Sequence, residues 1–149
     1  MKLTRTLFGW IIVACCAAPA LAALGGGAAS VEADRASLKG ALRVRPGSGY
    51  AVHEIQVSSA MLVREYLSPE GKVFAVSWRG PGIPDLRQML GGYYPQFEQA
   101  ASAPHYNHHH LSIRTADMVV QSSGHARAFF GRAWVPALLP QKFSVNDIN

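Results

Sequence analysis

Cysteine is almost missing: the 149 residues hold two, Cys15 and Cys16, adjacent and close to the start. Blocks of like charge are missing as well. The 14 Lys and Arg outnumber the 9 Asp and Glu by five, but they are spread along the chain, which is weak evidence for an anionic partner and provides no nucleic-acid arm. No stretch reaches the roughly 20 apolar residues that a membrane-spanning helix needs. Walker, Rossmann, H-E-x-x-H and C-x-x-C patterns do not occur. What remains is 49% hydrophobic and 9% aromatic, with 14 Gly and 9 Pro, the composition of one ordinary globular domain.

Residues 1–22 have the three parts of an export signal. Lys2 and Arg5 form a basic lead, Leu7 to Ala18 is apolar, and Pro19 precedes the small-residue site Ala20-Leu21-Ala22. Cleavage there leaves residues 23–149 as a single domain, periplasmic or secreted. Two alternatives are a retained N-terminal anchor and a lipoprotein box, Ile12-Val13-Ala14-Cys15, lipidated on Cys15. Both cysteines depart with the signal, so disulfide, thiol-redox and cysteine-protease readings fall together. Lys2 and Arg5 depart too, leaving twelve basic residues against nine acidic ones.

The mature chain opens on a Gly/Ala lead-in. Ser30 is placed to cap a helix over 31–39 that ends at Gly40, with Glu32 and Asp34 in the first turn favoured by the helix dipole. Alternation of period two begins near Leu42 and continues in strands over 50–57, 62–67 and 73–78. Ser68-Pro69-Glu70-Gly71 has Pro and Gly where a type I turn wants them, so these three strands form a meander. Asp85 with Gln88 reads as a capping box, and Leu86, Met89, Leu90, Tyr93 and Phe97 recur at helical spacing. Pro95 should kink this helix or split it in two. Short strands at 111–115 and 118–122 follow the polar loop 102–110. Ser122-Ser123-Gly124 is expected to turn the chain into a strand over 126–135. The tail from Pro136 should dock as extended chain.

The most conspicuous group is His105, His108, His109 and His110, whose imidazoles could ligate zinc, copper or nickel. The loop supplies no other ligand by sequence, so a solvated loop is the competing reading. His53 and His125 lie in expected strands. Either could serve a hydrolase or lyase with Glu54, Glu65 or Asp117, but His53 and Glu54 should point to opposite faces. Gly47-Ser48-Gly49 has a turn's spacing rather than a nucleophile elbow's. Arg79, Arg87, Tyr93 and Tyr94 are candidates for a binding surface: the first two flank a strand-to-helix crossover, and the tyrosines belong to a surplus of aromatics, Phe129 and Phe130 included.

Several segments carry a family pattern: Ser30-Val31-Glu32-Ala33-Asp34-Arg35, Tyr50-x-Val52-His53-Glu54, Arg64-Glu65-Tyr66-x-Ser68-Pro69-x-Gly71, Pro84-Asp85-Leu86-Arg87-Gln88 and Val135-Pro136-Ala137-Leu138-Leu139-Pro140. In these the chain resembles a proteobacterial family of exported proteins known as domain of unknown function number two-eight-four-four. The resemblance implies an exported single-domain protein; it implies no catalytic residues, and the His108-His109-His110 run lies outside its pattern.

The expected fold is α+β: an antiparallel sheet of five to seven strands, a meander plus a C-terminal hairpin, with one or two helices packed on it. The expected function is a non-enzymatic binding or accessory module for an envelope or secreted protein component. No catalytic residue and no organic cofactor is assigned. The His-loop metal protein and the strand-histidine hydrolase or lyase are the alternatives.

Overall fold

Alternating side chains and well-placed turns build a sheet from most of the chain, and a computed structural model describes it over residues 24–102 and 110–149. Helix α1 (Ala28–Leu38) precedes the meander β1 (Ala41–Gly47), β2 (Tyr50–Gln56), β3 (Leu62–Leu67) and β4 (Val73–Gly80). Helices α2 (Leu86–Leu90) and α3 (Tyr94–Ala101) follow, then β5 (His110–Arg114), β6 (Val119–His125) and β7 (Ala128–Trp134). All seven strands form one antiparallel sheet in the order β1-β2-β3-β4-β7-β6-β5. The α+β class and the meander are therefore as expected from the pattern.

Each face of the sheet has its own core. On one, Ile55, Val63, Val76, Trp78, Val120 and Ala133 pack under the helices with Val31, Met89, Leu90 and Phe97. On the other, Tyr66, Phe74, Val119 and Trp134 are covered by the tail, through Leu138, Leu139, Phe143, Val145 and Ile148. The tail makes two 3₁₀ turns, Pro136–Leu138 and Val145–Asp147, instead of staying extended. Phe143 stands edge-on to Tyr50 and Phe74 at 5.0 and 4.7 Å between ring centroids, a favoured aromatic geometry.

Several local expectations are corrected. Helix α1 starts earlier, with Gly27 at its N-cap, so Glu32 and Asp34 fall beyond the first turn and Ser30 lies inside the helix. Lys39, in the left-handed conformation, ends it ahead of Gly40. Ser122-Ser123-Gly124 stays within β6; the chain reverses at Ala126-Arg127, where Arg127 has φ +70°. Of the two turn residues only the second has a positive φ, so this reversal is not one of the primed turns usual for two-residue hairpins. Pro95 occupies the first turn of α3, where its missing N–H costs nothing, and the expected break takes the form of a 3₁₀ turn over Gly91–Tyr93.

Half of the expected capping box forms. Asp85 Oδ1 accepts from the backbone N–H groups of Arg87 at 2.9 Å and Gln88 at 3.4 Å. The Gln88 amide turns instead to Asp34 on α1, because a buried carboxyl is the stronger claim on a donor. Asp85→Ala should therefore cost about 1 kcal/mol, the usual value of an N-cap, read as a lower urea midpoint at unchanged slope.

Candidate ligand cleft on the open face of the sheet

The tail covers only part of its face, and strand register identifies what the rest displays. One row crosses all seven strands: Arg43, Glu54, Arg64, Ser77, Arg132, Gln121 and Ser112. At about 4.8 Å per strand this row spans about 29 Å. Two residues along, the neighbouring row holds Arg79, Phe130, Ser123 and His110. Arg45 and Arg114 project from the same face, so its strands carry six arginines against one carboxylate, Glu54. The tail carries two exposed charges of its own, Lys142 and Asp147.

Glu54 is committed. Its carboxylate holds Arg45 Nε at 2.7 Å and Arg64 Nε at 2.9 Å, and these bonds to guanidinium groups keep its pKa below the usual range. Arg64, Tyr66 and Ser77 donate together to the Asn149 carbonyl oxygen, from Tyr66 Oη at 3.1 Å and Ser77 Oγ at 2.9 Å, so the sheet anchors the tail here. Arg132 gives Nε to Gln121 Oε1 at 3.0 Å and one further nitrogen to the Val145 carbonyl at 2.8 Å. Arg43, Arg79 and Arg114 are exposed and form no ion pair with a described residue.

Beside the anchored tail lies a cleft of about 470 Å³ whose walls include Arg79, Arg132, His110, Gln121, Ser123 and Phe130. That volume suits a small ligand or one segment of a larger one. His110 Nδ1 meets Ser123 Oγ. Phe130 is 56% exposed, with Arg79 and Ser123 as its cross-strand neighbours in place of apolar ones.

Of the residues singled out in the sequence, Arg79 and His110 meet at this cleft. His105, His108 and His109 lie outside the described residues, and among the described ones no three potential ligands gather. Arg87 lies on α2 in the helical layer, where it stacks over Tyr94 at 4.6 Å and sits 3.8 Å from Glu98. Tyr93 packs against the helix-side core and touches the Gly25 backbone. The four binding-surface candidates are thus divided, with Arg79 on the open face and the other three among the helices. Phe130 stands in the sequence only as one of the surplus aromatics and Ser123 only as part of an expected turn, and Gln121 and Arg132 are not marked there at all. Their signal, polar or aromatic side chains at every second position of two strands, becomes a site only when β6 and β7 are placed beside β4.

A second polar group lies beneath α1. Glu65 is 0% exposed and Asp34 1%. Burial, with the Asp34 carboxyl beside it, pushes the Glu65 pKa up to about 9; burial also raises that of Asp34, against the bond from Gln88. One carboxyl of the pair must hold a proton at neutral pH. His53 lies beside Glu65 across the β2–β3 ladder, and burial lowers its pKa, which keeps the ring neutral. Glu54, its neighbour in sequence, points to the other face as expected. His125 ends β6 in an exposed position.

Among the described residues no helix is long and apolar enough to cross a membrane. No curated protein and no solved structure matches the chain. A family described as "Protein of unknown function (DUF2844)" matches residues 20–148, nearly the whole of the domain just described. The chain belongs to the DUF2844 family.

Proposed function

We propose that this protein is an exported, non-enzymatic binding module that engages an envelope component through the open face of its sheet. The observation that carries the reading is the distribution of charge. Arginines scattered through the sequence, from Arg43 to Arg132, converge on one face of one sheet, and among the described residues no Asp or Glu lines the cleft beside them. Such a surface favours an anionic partner and speeds encounter with it. The export half of the proposal rests on residues 1–22, with their basic lead, apolar run and Ala-Leu-Ala site.

Two measurements test it. Intact-mass analysis of protein recovered from its native host should give a chain beginning at Ala23. Co-sedimentation of the purified chain with its own envelope fraction should then show saturable binding. The double substitution Arg79→Ala/Phe130→Ala should weaken that binding about tenfold or more, as loss of a charge-assisted contact and an aromatic contact would. Arg87→Ala, on the helical side, should leave it unchanged. Equal retention of both variants would overturn the assignment of the face.

A further inference from the structure

The open face also indicates the kind of anion it would hold, an inference that rests on the binding reading above. The cleft of about 470 Å³ has a neighbour of about 400 Å³, and Arg79 and Phe130 belong to the walls of both. The second cleft adds Arg127 and His125 at the β6–β7 hairpin. Among the described residues neither wall contains an Asp or Glu. Cationic groups therefore lie on both sides of one exposed aromatic ring. Along β7, Arg132 follows Phe130 by two positions, about 7 Å on the same face; Arg127 lies three positions to the other side.

A single small anion would use one of these groups and leave the others without a counter-charge among the described residues. A repeating anion uses them in succession. The ring and the neutral polar groups narrow the choice further. Phe130 presents a flat apolar surface of the kind that the C–H face of a sugar ring covers, and Gln121, Ser112 and Ser123 supply the amide and hydroxyl groups that sugar hydroxyls need. Gln121 accepts from Arg132 through Oε1, and its Nε2 forms no bond to a described residue. Arginine's planar fork suits a carboxylate or a phosphate; a carboxylate is the anion that a sugar ring can carry at each unit while leaving its C–H face free for Phe130.

We propose that the paired clefts form a binding site for a carboxylate-bearing polysaccharide, a chain of uronic acid units, with one sugar ring on Phe130 and successive carboxylates on Arg79 and on the arginines to either side. The site spans the hairpin end of β7, passes over Phe130 and ends at the anchored tail.

Calorimetric titration of the full mature chain with oligogalacturonate tests this, using maltohexaose as the neutral sugar and oligoglutamate as a non-sugar polyanion of equal charge. Oligogalacturonate should bind, maltohexaose should not, and oligoglutamate should bind about tenfold more weakly because it cannot cover the ring. Arg79→Ala and Phe130→Ala should each weaken oligogalacturonate binding about tenfold; both side chains are exposed, and near-ultraviolet circular dichroism would verify the fold. Equal affinity for oligoglutamate, or indifference to Phe130→Ala, would overturn the sugar assignment, as would absence of oligogalacturonate binding. If oligogalacturonate fails while Arg79→Ala/Phe130→Ala still abolishes envelope retention, the binding face survives and the ligand class does not. If envelope retention is also unaffected, both readings fall.

Discussion

Replacing Glu65 with glutamine is expected to stabilise the protein at pH 8 by on the order of 3 kcal/mol, and to flatten a fall in stability that the wild-type chain shows between mildly acidic and alkaline pH. The carboxyl sits at 0% exposure under α1 with Asp34 beside it. In the folded chain it keeps its proton up to a pKa of about 9, against an ordinary value of 4.5 once unfolded. Below the lower value both states carry the proton and the stability is complete. As pH rises through the window between the two, the unfolded chain releases a proton that the folded chain retains, so the equilibrium shifts toward unfolding by up to about 1.4 kcal/mol per pH unit. Glutamine has nearly the shape of the protonated acid and nothing to release. Its extra N–H groups must find acceptors in a buried site, which keeps the gain below the full titration term. Urea unfolding at pH 5 and pH 8 gives the check: the variant should gain at the higher pH and little at the lower. A variant weaker than wild type at pH 8 would refute a proton held on Glu65.

Gly131→Ala should act in the opposite direction, costing about 3 kcal/mol, the upper part of the range for overpacking a core. A Cβ at Gly131 would lie 2.2 Å from Cζ2 of Trp78 and 2.9 Å from the Gln121 backbone carbonyl. Trp78 is 2% exposed on β4, directly across from Gly131, and its indole occupies the space that a side chain at Gly131 would fill. The ring cannot retreat without disturbing Val120 and Ala133, which belong to the same core. Neither the methyl group nor the ladder can give way cheaply. Gly82→Ala is the matched control, because nothing lies within 4 Å of its added Cβ; it should be neutral or slightly stabilising. Thermal unfolding followed by tryptophan fluorescence would separate the two variants, and identical midpoints would contradict the packing of Trp78 on Gly131.

What could be read from the residues was whatever is decided locally. Ser68-Pro69-Glu70-Gly71 marked the β3–β4 turn because Pro and Gly act through their own backbones, and Gly71 indeed has φ +75°. Met89, Leu90 and Phe97 revealed the buried side of α2 and α3 by spacing alone. The Gly124 reading failed where tertiary pairing overrode a local turn signal: the residue has φ +147° but sits opposite Phe129 within the ladder. Asp34 looked like a dipole-favouring helix residue until Glu65, 31 positions away, was placed beneath it. The binding face was hidden most completely. Period two shows which residues of a strand share a side, but not that β7 inserts between β4 and β6, and that insertion is what brings Arg79, Phe130 and Ser123 into one row.

The anchoring of the tail has a consequence for how the molecule is made. Asn149 is gripped by Arg64, Tyr66 and Ser77, side chains more than seventy positions earlier, and Phe143 closes over Tyr50 and Phe74. A ribosome that has produced everything up to β7 has therefore produced a sheet with one hydrophobic side still bare. Contacts of such long sequence separation form late and slowly. That side of the sheet therefore stays open until residues 136–149 have been laid across it, which makes docking of this segment the closing step of folding.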